Sequence, residues 1–193
     1  AARQRGAELA KGRVLVFLDD DMRVRRDFLA AHLAARTNDT TVVLGRLLPA
    51  DQIATMPLFE RFFATMLDRM AEGYSSGMET LRGSNVYTGN VSVPRALFFD
   101  VGGFDTEFRA LEDQELGIRL ERAGATFVFS NEACSVHGSD KTSMEAWMKR
   151  SYRDGVFETR VGRKHADLAS ASPFRHIARI NPISKPFLAL SFV

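Results

Sequence analysis

Five apolar residues, Val14-Leu15-Val16-Phe17-Leu18, run directly into three carboxylates, Asp19-Asp20-Asp21. A short continuous apolar run of this kind predicts a strand buried on both faces of a parallel sheet. Acids directly behind it emerge at the C-terminal edge of the sheet, where open α/β sheets bind ligands. Side chains alternate along extended backbone, so Asp19 and Asp21 are expected to point one way and Asp20 the other. Two carboxylates on one side repel each other unless a cation lies beside them. One reading of the stretch is a divalent-metal site that also holds a phosphate. A solvated acidic loop facing Arg23, Arg25 and Arg26 fits this stretch alone equally well.

The flanking chain alternates in character. Residues 1–11, rich in Ala, Glu, Leu and Arg, read as a helix that Gly12 ends. Asp27 is placed to cap a second helix with Phe28, Leu29, His32 and Leu33 on one face, and His32 there reads as a packed residue rather than a ligand. Residues 41–48 read as a second strand, weakened by Gly45. Helix, strand, helix, strand argues for an α/β layer architecture. Residues 56–72 read as a helix with a wide stripe of Leu58, Phe59, Phe62, Phe63, Met66, Leu67 and Met70. Core packing is its default role, with a partner or membrane surface as the alternative. Residues 73–83 read as a glycine-containing loop, and residues 86–93 as a strand interrupted by Gly89-Asn90. Pro94 opens a short helix over 95–101, which Gly102-Gly103 stops. A further helix starts at Glu112-Asp113 and ends at Gly124, and two short strands are predicted over 126–129 and 133–136. Residues 144–157 read as amphipathic, with Met144, Trp147, Met148 and Tyr152 on one side.

A chain of 193 residues, 45% hydrophobic, suffices for one domain with a core. The single Cys134 allows neither an intrachain disulfide nor a Cys-rich zinc site, and a cytoplasmic setting is the simpler expectation. No apolar run is long enough to span a bilayer. The chain opens inside a helix and closes on an apolar stretch, 186–193, so both ends read as cut. Residues 1–140 hold 16 basic and 20 acidic side chains, residues 141–193 hold 10 and 4. The basic C-terminal segment can favour anionic headgroups or phosphates at a membrane surface; a solvated helix face is the simpler reading. No nucleic-acid partner is expected.

Three more groups carry chemical potential. Gly89-Asn90 offers close backbone approach and an amide for a hydroxyl-rich ligand, or else is a β-bulge. Glu112-Asp113 places like charges side by side, which raises a carboxyl pKa toward that of a general base, although acids in a first helical turn also simply complement the helix dipole. His137, after a strand, can join carboxylates around a metal or serve the structure alone.

Taken in order, these groups resemble the GT-A-fold glycosyltransferases of the large family-two superfamily. Arg3-Gln4-Arg5-Gly6 followed by the 14–21 stretch is similar to that family's helix and DxD strand. Tyr87-Thr88-Gly89-Asn90-Val91-Ser92-Val93 and Gly102-Gly103-Phe104-Asp105 resemble its acceptor-side strand and GGFD turn. Leu111-Glu112-Asp113-Gln114-Glu115-Leu116 resembles its ED helix. The resemblance covers about residues 1–140 and implies a GT-A, Rossmann-like mixed sheet flanked by helices. That family's nucleotide-binding strands precede the DxD strand, so residues 1–140 are expected to be the C-terminal part of the domain. Residues 141–193 are expected to form an amphipathic helix and a basic extension.

The likeness also implies roles. Asp19, Asp20 and Asp21 would bind the nucleotide-sugar donor, and Asp21 with His137 would hold Mg²⁺ or Mn²⁺. Asp113 would be the catalytic base beside Glu112, while Gly89, Asn90 and Gly103 would shape the sugar and acceptor pocket. The expected activity is metal-dependent, inverting transfer to a glycan, lipid-linked or other hydroxyl acceptor, as in polysaccharide or cell-envelope assembly. A sugar-nucleotide nucleotidyltransferase and a non-catalytic carbohydrate-binding scaffold are the alternatives. The lone Trp147 carries no QxxRW motif, which speaks against a cellulose- or hyaluronan-type synthase.

Overall fold

The computed structural model describes residues 2–138 and 143–168. Along the chain run α1 (Ala2–Leu9), β1 (Val14–Leu18), β2 (Met22–Val24), α2 (Phe28–Ala34), β3 (Thr41–Pro49), α3 (Leu58–Ser75), β4 (Asn90–Pro94), α4 (Arg95–Asp100), α5 (Glu112–Arg122), β5 (Thr126–His137) and α6 (Met144–Lys164). The strands form one mixed sheet in the order β1-β4-β3-β5-β2. β4 lies antiparallel to both β1 and β3, β5 runs parallel to β3, and β2 antiparallel to β5. β1, β3 and β5 therefore share a direction, and their C-terminal ends share one rim. The expected α/β architecture, a mixed sheet flanked by helices, is the observed one.

Several elements differ from expectation. Among the described residues β1 pairs on one side only, with antiparallel β4, and only Leu15 and Phe17 of its five residues are buried. An apolar run does not encode strand direction, and here half of it is partly covered rather than enclosed. Residues 86–89 are not strand; β4 begins at Asn90, after a 3-10 turn over Gly83–Asn85. β5 is one strand of 12 residues instead of two short ones. Its polar middle is absorbed by a register shift opposite Gly45 and Leu47. Asp27 occupies the N-cap position of α2 without bonding a helix N–H, and its carboxylate pairs with Arg25 instead.

The wide stripe of α3 is not a core face. Leu58, Phe62 and Met66 are exposed, while Phe59, Phe63, Leu67 and Met70 are half-buried. Likewise Met144, Met148 and Tyr152 of α6 are exposed, and only Trp147 finds an aromatic partner, Phe59 at 5.7 Å. α6 instead buries its C-terminal half: Phe157 and Val161 join Phe108, Ala110 and Ile118 in a small cluster against α5. The apolar stretch 186–193 and the basic extension from 169 lie outside the described residues. No helix among the described residues is long and apolar enough to cross a membrane.

The main core lies under the β1–β4–β3 part of the sheet, where Phe17, Phe98 and Phe104 meet edge-on or tilted at 5.2–5.5 Å. A polar knot crosses the sheet beside it. Asn90 is fully buried and donates to the Ala133 carbonyl at 2.8 Å and to Ser135 Oγ at 3.1 Å. Its carbonyl accepts from His32 Nε2 at 2.9 Å, and His32 Nδ1 meets Ser92 Oγ at 3.1 Å. Burial pushes the His32 imidazole below its ordinary pKa, so it stays neutral and structural. Gly45 makes the knot possible: a Cβ there would lie 2.0 Å from the Ala133 carbonyl and 2.3 Å from Asn90 Nδ2.

Because the obstacle at Gly45 is backbone, Gly45→Ala is expected to lower stability by about 1–3 kcal/mol or more. In α6, Gly155 has nothing within 4 Å of a Cβ. Gly155→Ala should therefore raise stability by roughly 0.5–1 kcal/mol. Urea midpoints of the two variants check both signs.

Candidate active site

The rim where β1, β3 and β5 end collects most of the chemically suggestive residues. Leu18 registers opposite Asn90, so the chain leaving β1 lies beside the chain entering β4. Asp19 N–H donates to the Gly89 carbonyl at 3.4 Å, and Met22 N–H returns to the Asp19 carbonyl at 3.3 Å, closing a turn. A Cβ at Gly89 would stand 3.1 Å from Asp19 Oδ2, so glycine leaves room for the carboxylate.

The turn changes the expected alternation. Asp19 and Asp20 both line the cleft at this rim, whereas Asp21 is directed to β5, its Oδ2 3.2 Å from His137 Nε2. Period-two alternation holds only while backbone stays extended, and β1 stops at Leu18. The Asp21–His137 contact follows from strand pairing, since Met22 registers opposite His137 and Gly138 N–H donates to the Asp21 carbonyl at 2.9 Å.

α5 brings the second acidic group. Its N-cap, Leu111, is the one described non-glycine residue with positive φ, at 56°, and this left-handed kink turns the chain into Glu112-Asp113. Asp113 accepts from its neighbour Gln114 N–H at 2.8 Å and from Thr88 N–H at 3.3 Å. Thr88 and Gly89 are consecutive, so Asp113 and Asp19 flank the same short stretch of backbone. Burial, and next the charge of Glu112, push the Asp113 carboxyl up to about 6.

Arg3 of α1 closes the arrangement. Its guanidinium donates to Asp19 Oδ1 at 2.5 Å and to Glu112 Oε1 at 2.8 Å, joining the two acidic groups across the cleft. Burial opposes its charge, but Asp19 and then Glu112 and Asp113 outweigh that and hold its pKa above the ordinary value. The opposite wall of the cleft comes from the chain ahead of α5, with Phe104, Asp105, Phe108 and Arg109.

Two of the anticipated pocket residues act from behind. Asn90 has every side-chain polar atom engaged inside the sheet, so it sets the backbone of the rim without facing the cleft. Gly103 is buried with φ of 66°, and Gln4 lies across it, accepting from Phe104 N–H at 3.0 Å. Arg3, Gln4 and Arg109 were given no role by the sequence reading. Arg3 and Gln4 stand in an ordinary charged helix turn, and only the family-like pattern around them marked the segment.

Asp21 and His137 supply one carboxylate and one imidazole, a donor set that suits Mg²⁺ or Mn²⁺ completed by phosphate oxygens and water. Among the described residues there is no group of three or more potential ligands.

The chain is 33% identical over 143 residues to the glucosyl-dolichyl phosphate glucuronosyltransferase of Haloferax volcanii, an alignment covering 68% of this chain and 45% of that protein. It is 25% identical over 174 residues to the uncharacterized glycosyltransferase YfnE of Bacillus subtilis, covering 66% of this chain and 44% of that protein. The chain thus spans less than half the length of these curated relatives. The family model described as glycosyl transferase family group 2 matches residues 14–186, which include the acidic rim, the GGFD turn and the ED helix. The chain belongs to glycosyl transferase family group 2.

Proposed function

We propose that this cleft transfers a sugar from a nucleoside diphosphate sugar to an acceptor hydroxyl, with inversion at the anomeric carbon. The observation that carries the reading is Asp113: a partly covered carboxyl with its pKa raised to about 6, hydrogen-bonded to the stretch that also meets Asp19. A base tuned toward neutral pH is what removal of a hydroxyl proton requires. In the proposed step the acceptor proton passes to Asp113, the freed oxygen bonds to the anomeric carbon, and the bond to the diphosphate oxygen breaks with its electron pair. A single in-line displacement inverts that carbon.

Other residues serve the same step. Asp21 and His137 would hold Mg²⁺ or Mn²⁺, whose chemistry is Lewis-acid neutralisation of charge on the departing diphosphate. Asp19 and Asp20, on the cleft side of the turn, are placed for the ribose and phosphate side of the donor. Glu112 keeps Asp113 protonatable near neutrality and, through Arg3, remains tied to the donor side. The name of the Haloferax volcanii relative, a glucosyl-dolichyl phosphate glucuronosyltransferase, supports a sugar on a lipid phosphate as the acceptor class.

Asp113→Asn in the full-length protein should reduce turnover by on the order of 10²–10⁴-fold while nucleotide binding persists. The fold should be no weaker above pH 6, because a carboxyl whose folded pKa is raised loses stability as it ionises, and the amide is spared that cost. Unchanged turnover would remove Asp113 from the mechanism. With Asp113 intact, kcat/KM should fall as pH drops through about 6, since only the ionised carboxylate accepts the proton.

Asp21→Ala should weaken the Mn²⁺-dependent part of nucleoside diphosphate binding and leave the metal-free part in place. Calorimetry with and without Mn²⁺ separates the two. Equal binding under both conditions in the parent protein would favour a scaffold over an enzyme.

A further inference from the structure

A second groove adjoins the cleft and has no part in the steps above. Glu107 and Phe108, from the chain ahead of α5, form one side, and Arg160, Arg163 and Lys164, from the last turns of α6, form the other. Phe108 lines both this groove and the cleft, and the next residue, Arg109, lines the cleft. Groove and cleft therefore meet at one aromatic ring.

The cations here are unevenly committed. Lys164 is fully engaged: its ammonium bonds Asp105 at 2.6 Å and buried Glu115 at 2.7 Å, and lies 5.3 Å from the Phe108 ring centre. Arg160 stacks on Phe157 at 4.8 Å. Among the described residues Arg109, Arg160 and Arg163 have no carboxylate partner, while Glu107 is the one acid lining the groove. The N-terminal half of the same helix behaves differently: Lys149 pairs with Glu145, and Arg150 and Arg153 pair with Asp154. Among the described residues, unpaired guanidinium charge on α6 is thus concentrated at the end that lines the groove.

Guanidinium groups match phosphate oxygens with paired N–H donors, and a stacked arginine loses less side-chain freedom when it binds. We propose that this groove is a subsite for a phosphate group carried by the acceptor, bound by Arg160 and Arg163 with Arg109 at the junction with the cleft. The sugar bearing the reacting hydroxyl would then cross Phe108 toward Asp113, leaving its phosphate among the arginines. The inference rests on the sugar-transfer reading for the direction of the sugar, but the anion site itself does not depend on turnover.

The test uses the full-length protein, the double variant Arg160→Ala/Arg163→Ala and the charge-conserving Arg160→Lys/Arg163→Lys. Both positions are exposed, so neither change empties the core. The probes are a short prenyl-phosphate-linked sugar, an uncharged octyl glycoside of the same sugar, and phosphatidylglycerol vesicles. Calorimetry without donor should show the phosphate-linked sugar binding the parent. The alanine variant should bind it weaker by on the order of 10-fold or more, with the lysine variant between. In transfer assays KM should rise for the phosphate-linked acceptor and not for the octyl glycoside. Equal binding by parent and alanine variant, or no binding by the parent, overturns the subsite. So does an equal rise in KM for both acceptors. Loss of vesicle binding with unchanged binding of the phosphate-linked sugar overturns it in favour of a membrane contact. A calorimetric difference without transfer to any acceptor would keep the subsite and refute the transfer reading instead.

Discussion

The buried amide of Asn90 organises the rim. It reaches β5 through Ala133 and Ser135 and α2 through His32, and it sits in the space that Gly45 leaves on β3. A buried amide with all its bonds made is rigid, and one with a bond missing is costly, so the side chain tolerates little displacement. The residues immediately before it, Thr88 and Gly89, are consequently held at the point where β1 discharges its acids and α5 begins. Distances at the cleft descend from that anchoring. Asp19 meets Gly89, Asp113 meets Thr88, and both contacts are to backbone, which side-chain changes nearby leave in place.

Keeping acids this close needs a counter-charge, and α1 provides it. Arg3 is shared between Asp19 and Glu112, so the acidic turn after β1 and the start of α5 are bridged by one side chain. Pairs this exposed contribute little to folding, since water screens them. Their effect is local: Arg3 bonds Glu112 beside Asp113, and the charge of Glu112, after burial, is what raises the Asp113 carboxyl.

Much of this was legible in the chain. The strand ending in Asp19-Asp20-Asp21, the helix opening on Glu112-Asp113 and the glycine stop at Gly102-Gly103 all have local causes, and local causes leave local patterns. What was illegible depended on tertiary contact. The alternation of three aspartates failed because the strand ends before them. Asn90 looked like a ligand-facing amide, yet only the convergence of β3, β5 and α2 shows that its partners are internal. The stripes of α3 and α6 satisfy a helical period, and a period does not say whether anything covers the face; Phe62, Met66 and Tyr152 stand exposed. Arg3 carried no mark beyond its neighbours, because its role comes from residues 16 and 109 positions away.

α5 and α6 are linked through one buried carboxylate. Glu115 lies one turn beyond Glu112 and is fully enclosed, accepting from Arg119 at 2.6 Å, Lys164 at 2.7 Å and His165 Nε2 at 3.2 Å. Burial works to raise its pKa, but Arg119 and Lys164 prevail and hold it below the ordinary value, so it stays ionised. Removing a partner from a buried charge is far more costly than removing one from an exposed pair. Lys164 also bonds Asp105 in the cleft wall, so one ammonium ties together the end of α6, the start of α5 and the GGFD turn. Arg160 and Arg163 stand on the same last turns of α6 as Lys164, which holds the cleft wall to the start of α5. Glu115 thus joins the end of α6 to the helix that carries Asp113.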